Sequence, residues 1–185
     1  MKNLVRTLCA DLRKIRKGDG WKQWLSALVI NQSFKTIVLY RLTHACRCKP
    51  LHLIVGGAKR LYATIHGVYI SDNVEIGAGF CISHCFSIII AGAKIGKNCV
   101  VMQQVTIGSS RGGKRAGYPI LGDNVVVCCG AKIIGNVRIG NNVIIGANAV
   151  VVTDIPDNAV VGGVPAKIIG KNGKVHVKQW VEDMK

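Results

Sequence analysis

His84 is the residue of this 185-residue chain with the clearest chemical potential. It stands in Ile82-Ser83-His84-Cys85, two residues after an aliphatic position that the surrounding pattern turns inward, so its imidazole is expected at the surface. Histidine changes charge near neutral pH, which suits a general base. Downstream, Gly108-Ser109-Ser110-Arg111-Gly112-Gly113-Lys114-Arg115-Ala116-Gly117-Tyr118-Pro119 is a Gly-rich, basic segment, expected to be mobile. A cationic arm near a neutral imidazole suits an anionic ligand held beside a base. Each feature has a plainer explanation, a structural histidine and a solvated loop. Both, however, lie at or near breaks in an otherwise regular repeat, where binding faces gather their insertions.

That repeat is what positions them. Aliphatic residues recur every six positions at Ile70, Ile76, Ile82 and Ile88. After a one-residue slip the series resumes at Ile95, Val101 and Ile107, and after a longer break at Leu121, Val127, Ile133, Ile139, Ile145 and Val151. A period of six matches neither a helix nor an alternating strand. It predicts a parallel β-helix of hexapeptide repeats, with one aliphatic side chain inward per short flat strand. Asp72-Asn73, Lys97-Asn98, Asp123-Asn124 and Asn141-Asn142 fall at its tight turns, where left-handed backbone angles favour asparagine. The alternative, a β-sandwich with coincidental spacing, does not account for the six unbroken anchors from Leu121 to Val151.

Three segments follow. Residues 1–66 are helical in pattern, with Trp21, Trp24, Leu25 and Leu28, then Phe34, Ile37, Val38 and Leu42, then Leu51 to Ile65. Residues 67–155 form the β-helix, with an extruded loop at 108–119. Residues 156–185 leave the period for a Gly/Pro-rich loop and a tail that caps the open end. The fold class is mainly β.

The chain carries 25 Lys+Arg against 9 Asp+Glu, a net charge of +16. Aromatic residues are only 5%, poor material for stacking bases, so nucleic acid is not expected as a partner. Residues 1–66 hold 13 basic and 2 acidic side chains, residues 67–185 hold 12 and 7. Most of the surplus belongs to the helical segment, where Trp21 and Trp24 suggest peripheral contact with an anionic membrane. No apolar run reaches the ~18 residues of a membrane span. The N-terminus lacks an apolar signal region, and the eight cysteines match no zinc spacing, so free thiols in a reducing cytoplasm are expected.

Ile82-Ser83-His84, Gln104-Val105-Thr106-Ile107-Gly108, Gly130-Ala131-Lys132-Ile133-Ile134-Gly135 and Gly162-Gly163-Val164-Pro165-Ala166-Lys167 resemble the left-handed β-helix acyltransferases, in their serine acetyltransferase-like branch. The resemblance runs from about Gly67 to Gly170. Val38-Leu39-Tyr40-Arg41-Leu42-Thr43-His44 is also similar to short colanic-acid-type polysaccharide acetyltransferases. What this implies is an O-acetyltransferase using acetyl-CoA, with no metal, working as a homotrimer with active sites between neighbouring β-helices. His84 matches the family's base, and Tyr69 stands where an acidic residue ordinarily orients it, with Asp72 or Glu75 as the alternative partner or no partner at all. Gly108, Ser109, Cys129 and Ala147 match the CoA channel, and Lys167 a tail lysine near the nucleotide.

The departures shape the expected acceptor. Ser83, Gly117 and Tyr118 replace the charged residues that hold the amino acid in serine-specific members. The expectation is therefore a hydroxyl of a sugar or glycan precursor, in polysaccharide biosynthesis, held by Ser83, Arg115 and Tyr118. Serine O-acetylation in cysteine biosynthesis is the alternative. A γ-type carbonic anhydrase, also a trimeric β-helix, needs three zinc-binding histidines, and only His66 and His84 lie near the repeat.

Overall fold

The computed structural model describes residues 2–15, 20–46 and 48–183. Four helices come first: α1 (Lys2–Ile15), α2 (Trp21–Ile30), α3 (Gln32–Ala45) and α4 (Lys49–His66). The Asn31 side chain caps α3 by accepting from the Phe34 N–H at 2.9 Å, and α4 ends on Gly67 in the left-handed conformation that a C-terminal turn requires. Fifteen short strands follow, from β1 (Val68–Ile70) to β15 (Lys167–Gly170), then α5 (Gly173–Asp183).

The strands wind into three parallel sheets that form the faces of a prism. One face is β1, β4 (Ile88–Ala91), β7 (Thr106–Gly108), β10 (Lys132–Ile134) and β13 (Val150–Val151). The second is β2 (Glu75–Ile76), β5 (Lys94–Ile95), β8 (Ile120–Leu121) and β11 (Arg138–Ile139). The third is β3 (Cys81–Ile82), β6 (Val100–Val101), β9 (Val126–Val127), β12 (Ile144–Ile145) and β14 (Val160–Gly162), with β15 added antiparallel. A parallel β-helix of hexapeptide repeats behind N-terminal helices is thus the observed architecture.

Inside, the aliphatic anchors stack in columns: Ile107, Ile133, Val151, Val127 and Ile145 are all fully buried. At one edge Asn98, Asn124, Asn142 and Asn158 each adopt positive φ, and their carboxamides hydrogen-bond up the column at 3.3, 3.0 and 3.1 Å. The third face is apolar outside as well as in. Cys81, Val100, Val126 and Ile144 are covered by Val177 of α5 and Ile15 of α1.

Period and structure differ in two places. The segment 156–185, expected as loop and tail, contains β14, β15 and α5, because Ile155 and Val161 continue the buried column. The inward partner of Ile107 is Ile90, which also stacks on Ile70, and Ile88 points inward beside it.

The helices close the first coil. Ile37 and Tyr40 of α3 join the main core, and the Tyr40 hydroxyl donates to the Val74 carbonyl at 2.7 Å. A smaller core of Leu12, Ala27 and Phe34 holds the helices together, with Trp24 edge-on to Phe34 at 5.3 Å. Trp24 is therefore a packing residue, and only Trp21 of the pair proposed for membrane contact is exposed. Among the described residues no helix is long and apolar enough to cross a membrane.

Candidate active site

His84 stands on the edge where β3 turns into β4, and this edge is longer than those stacked on it. Six residues lead from the inward Val101 to Ile107, from Val127 to Ile133 and from Ile145 to Val151, but eight lead from Ile82 to Ile90. Two extra residues thus sit at the histidine itself, and the next turn is one residue short, which the simple period reads as a slip after Ile88.

The widened turn is held by its backbone. Ser83 N–H donates to Val101 O at 2.9 Å, Phe86 N–H to His84 O at 3.0 Å, and Gln104 N–H to Phe86 O at 3.0 Å. Ser87 takes the positive φ that Gln104, Gly130 and Asn148 take above it. Cys85 points back toward α3, its thiol donating to Ser33 Oγ at 3.3 Å and lying 3.9 Å from Thr36 Oγ1. Burial pushes the Cys85 thiol pKa up, so it stays neutral. Anchoring Cys85 in this way leaves the imidazole of His84 exposed, in an open groove lined by Ile30, Asn31, Gln32 and Ser33 on one side and Ser83, Cys85 and Phe86 on the other. Among the described residues nothing hydrogen-bonds to the ring.

The expected site residues fall into two groups. Stacking by register places Gln103, Cys129 and Ala147 on the same edge as His84, in successive coils: Gly130 N–H donates to Gln103 O at 3.0 Å and Asn148 N–H to Cys129 O at 2.9 Å. Lys167 opens β15 opposite Gly162, at the far end of that edge. Ser83 lies beside His84, half-buried.

Gly108, Ser109, Arg115 and Tyr118 lie on the next edge, across the five-stranded face. A strand rises ~3.3 Å per residue, so the five steps from Gln104 to Ser109 put these groups on the order of 15 Å apart in one chain. There the loop is pinched shut by paired hydrogen bonds between Ser110 and Gly117, both 2.9 Å. Arg115 is engaged: its Nη1 donates to Asp154 Oδ1 at 2.9 Å and to Asn136 O at 3.3 Å. Hydrogen bonds from the Arg138 N–H and from Arg115 hold the Asp154 carboxyl below its usual range.

Tyr69, expected to orient His84, is half-exposed on β1 in register with Ile89 and lines a cleft with Lys59, Arg60 and Asp72. Among the described residues no hydrogen bond joins its phenol to the histidine. Sequence reasoning also missed Cys85, Ser33 and Gln103. Cys85 adjoins the histidine in the motif; Ser33, 51 positions upstream, gave no signal.

Comparison with known proteins settles the family. Residues 118–153 match the model described as bacterial transferase hexapeptide (six repeats). A serine acetyltransferase of Synechococcus elongatus is 35% identical over 174 residues, 92% of this chain and 70% of the relative. One from Helicobacter pylori strain J99 is 34% identical over 161 residues, 86% of this chain and 94% of the relative. A solved serine acetyltransferase in complex with CoA superposes with a TM-score of 0.76 at 27% identity, over 91% of this chain and 70% of that one.

The chain belongs to the hexapeptide-repeat serine acetyltransferase family. It is an acyltransferase. The expected likeness to colanic-acid-type enzymes and the expected role on a sugar or glycan in polysaccharide biosynthesis are overturned, because the curated relatives are serine acetyltransferases over most of the chain. That expectation rested on uncharged residues at positions where the family resemblance implied a charged clamp, and the structure gives one of them another cause. Gly117 has φ +129°, and a Cβ there would lie 3.1 Å from Asn136 Cβ. The tight loop neck dictates the glycine, so its presence says nothing about a sugar.

Proposed function

We propose that this chain transfers the acetyl group of acetyl-CoA to the hydroxyl of L-serine, in a reducing cytoplasm, with His84 as general base. The observation that carries the role of His84 is its exposed imidazole on a turn widened by two residues, at the foot of the edge that bears Cys129, Ala147 and Lys167. The acceptor and the acyl donor are those of the similar proteins.

In the proposed step a ring nitrogen of His84 takes the proton of the serine hydroxyl as the oxygen attacks the thioester carbonyl. The tetrahedral intermediate collapses with cleavage of the C–S bond. The imidazolium returns its proton to the leaving thiolate, which restores the base and releases CoA. A positioned base of this kind contributes roughly 10²–10⁴-fold.

The acetyl-CoA arm would lie along the small residues Cys129 and Ala147, with its phosphates toward Lys167. Gly108, Ser109 and Tyr118 sit on the neighbouring edge, on the order of 15 Å from that of His84 within one protomer. A homotrimer with sites between adjacent β-helices brings the edge of His84 in one copy against the loop edge of the next. Release of free CoA thiol by the purified protein tests the reading: turnover with acetyl-CoA and L-serine is expected, and turnover with sugars but not with serine refutes it.

A further inference from the structure

Two polar groups on adjacent coils lack hydrogen-bond partners among the described residues and complement each other. The first is the His84 ring, which in either neutral tautomer carries one N–H to donate. The second is Oε1 of Gln103, a buried acceptor with no hydrogen-bond partner among the described residues. Buried carbonyl oxygens of this kind are ordinarily satisfied, and each exception calls for an explanation.

The register brings the two together. Cys81 pairs with Val100 and Ile82 with Val101, so His84 and Gln103 each lie two residues past a paired inward anchor, one coil apart on the same edge. The Gln103 backbone is fixed by the bond from Gly130 N–H, and the residue after it is fixed by the bond from Gln104 N–H to Phe86 O. Neighbouring strands of a sheet lie ~4.8 Å apart, so the two side chains leave adjacent coils of one edge at about that spacing, His84 from the widened turn and Gln103 from the regular one above it. The polar groups that line the groove around His84 are Asn31, Gln32, Ser33, Ser83 and the neutral Cys85 thiol, none of them charged. The Asn31 carboxamide oxygen already caps α3.

We propose that Gln103 is the positioning residue of the site: Oε1 accepts the N–H of the His84 ring, fixing one tautomer and leaving the other nitrogen free to take the serine proton. This rests on His84 as the base. It supplies the orienting acceptor that the phenol of Tyr69 does not provide.

The test uses full-length Gln103→Leu and Gln103→Glu, with His84→Ala as a control and thermal melting to verify that each folds. Gln103→Leu is expected to lower kcat about 10- to 100-fold with the KM for acetyl-CoA unchanged, and to turn the single-tautomer ¹⁵N signature of His84 into a mixture. Gln103→Glu keeps an acceptor and adds negative charge, which favours the imidazolium. It is expected to recover most of kcat and to move the acid limb of the kcat pH profile upward. Wild-type kcat and tautomer signature in Gln103→Leu overturn the proposal, as does a Gln103→Glu as impaired as Gln103→Leu with an unmoved limb. Full activity in His84→Ala overturns the base itself, a separate failure.

Discussion

Arg41 and Asp11 form a buried pair, Nε to Oδ2 at 3.0 Å, that fastens the helices to the first coil of the β-helix. Asp11 Oδ1 accepts the backbone N–H groups of Gly79 and Phe80 at 2.8 and 2.9 Å. Arg41 donates to the carbonyls of Ile76 and Gly77 at 2.5 and 2.6 Å. Both charges are thus paired and hydrogen-bonded to the same turn, the condition under which buried ions are tolerated. Burial pushes the Asp11 pKa up while Arg41 and the two N–H groups draw it down.

Removing one member strands the other. Asp11→Ala leaves a buried guanidinium and two orphaned N–H groups, and the expected loss is about 3–5 kcal/mol. Urea unfolding of the variant beside the wild type measures it; an unchanged midpoint contradicts the clasp.

The loop edge responds to acid. Asp154 lies below its ordinary value of 3.8 chiefly through the Arg138 N–H, then through Arg115. A depressed folded pKa adds stability above the unfolded value and loses it as pH falls through the folded one. The loop clamp is therefore expected to persist at pH 4 and to release only below 3.8. In Arg115→Ala the Asp154 midpoint, followed by NMR, rises part of the way toward 3.8, because the Arg138 N–H remains.

Thiol reactivity separates the cysteines. Burial pushes Cys81 and Cys99 up to about 12, whereas Cys48 is exposed. At pH 8 an alkylating reagent is expected to label Cys48 in the folded protein and to reach Cys81 and Cys99 only after unfolding, as peptide mapping would show.

Coil stacking leaves no room at Gly77. A Cβ there would lie 2.7 Å from the Gly96 carbonyl carbon and oxygen and 2.8 Å from Lys97 N, all backbone atoms that must shift together. Gly77→Ala is expected to cost about 1–3 kcal/mol, read from the denaturation midpoint.

The spacing of the aliphatic residues was enough to assign the coils, because each anchor occupies an equivalent site and all of them but the half-buried Ile76 are buried. It misplaced the irregular turn. Two inward isoleucines, Ile88 and Ile90, flank one outward residue, and a strict period of six selects the first, whereas strand pairing selects the second. His84 was legible because its neighbours fix which way it points. Gln103 was not, since its meaning depends on a buried oxygen and on a coil 19 residues earlier. Asp11 was also silent, although it is one of only two acids in residues 1–66, and its partners lie 30 to 69 positions away. The acceptor was misjudged because side-chain identities in the loop were read as specificity, while the neck and the Asp154 clamp account for Gly117 and Arg115.

The role of His84 is read from the steady-state rate of CoA thiol release with acetyl-CoA and L-serine, for the wild type and for His84→Ala at matched thermal stability. A base at His84 predicts ready turnover by the wild type and a kcat lower by roughly 10²–10⁴-fold in the variant. A variant that acetylates L-serine at the wild-type rate, or a wild type inert toward L-serine, contradicts it.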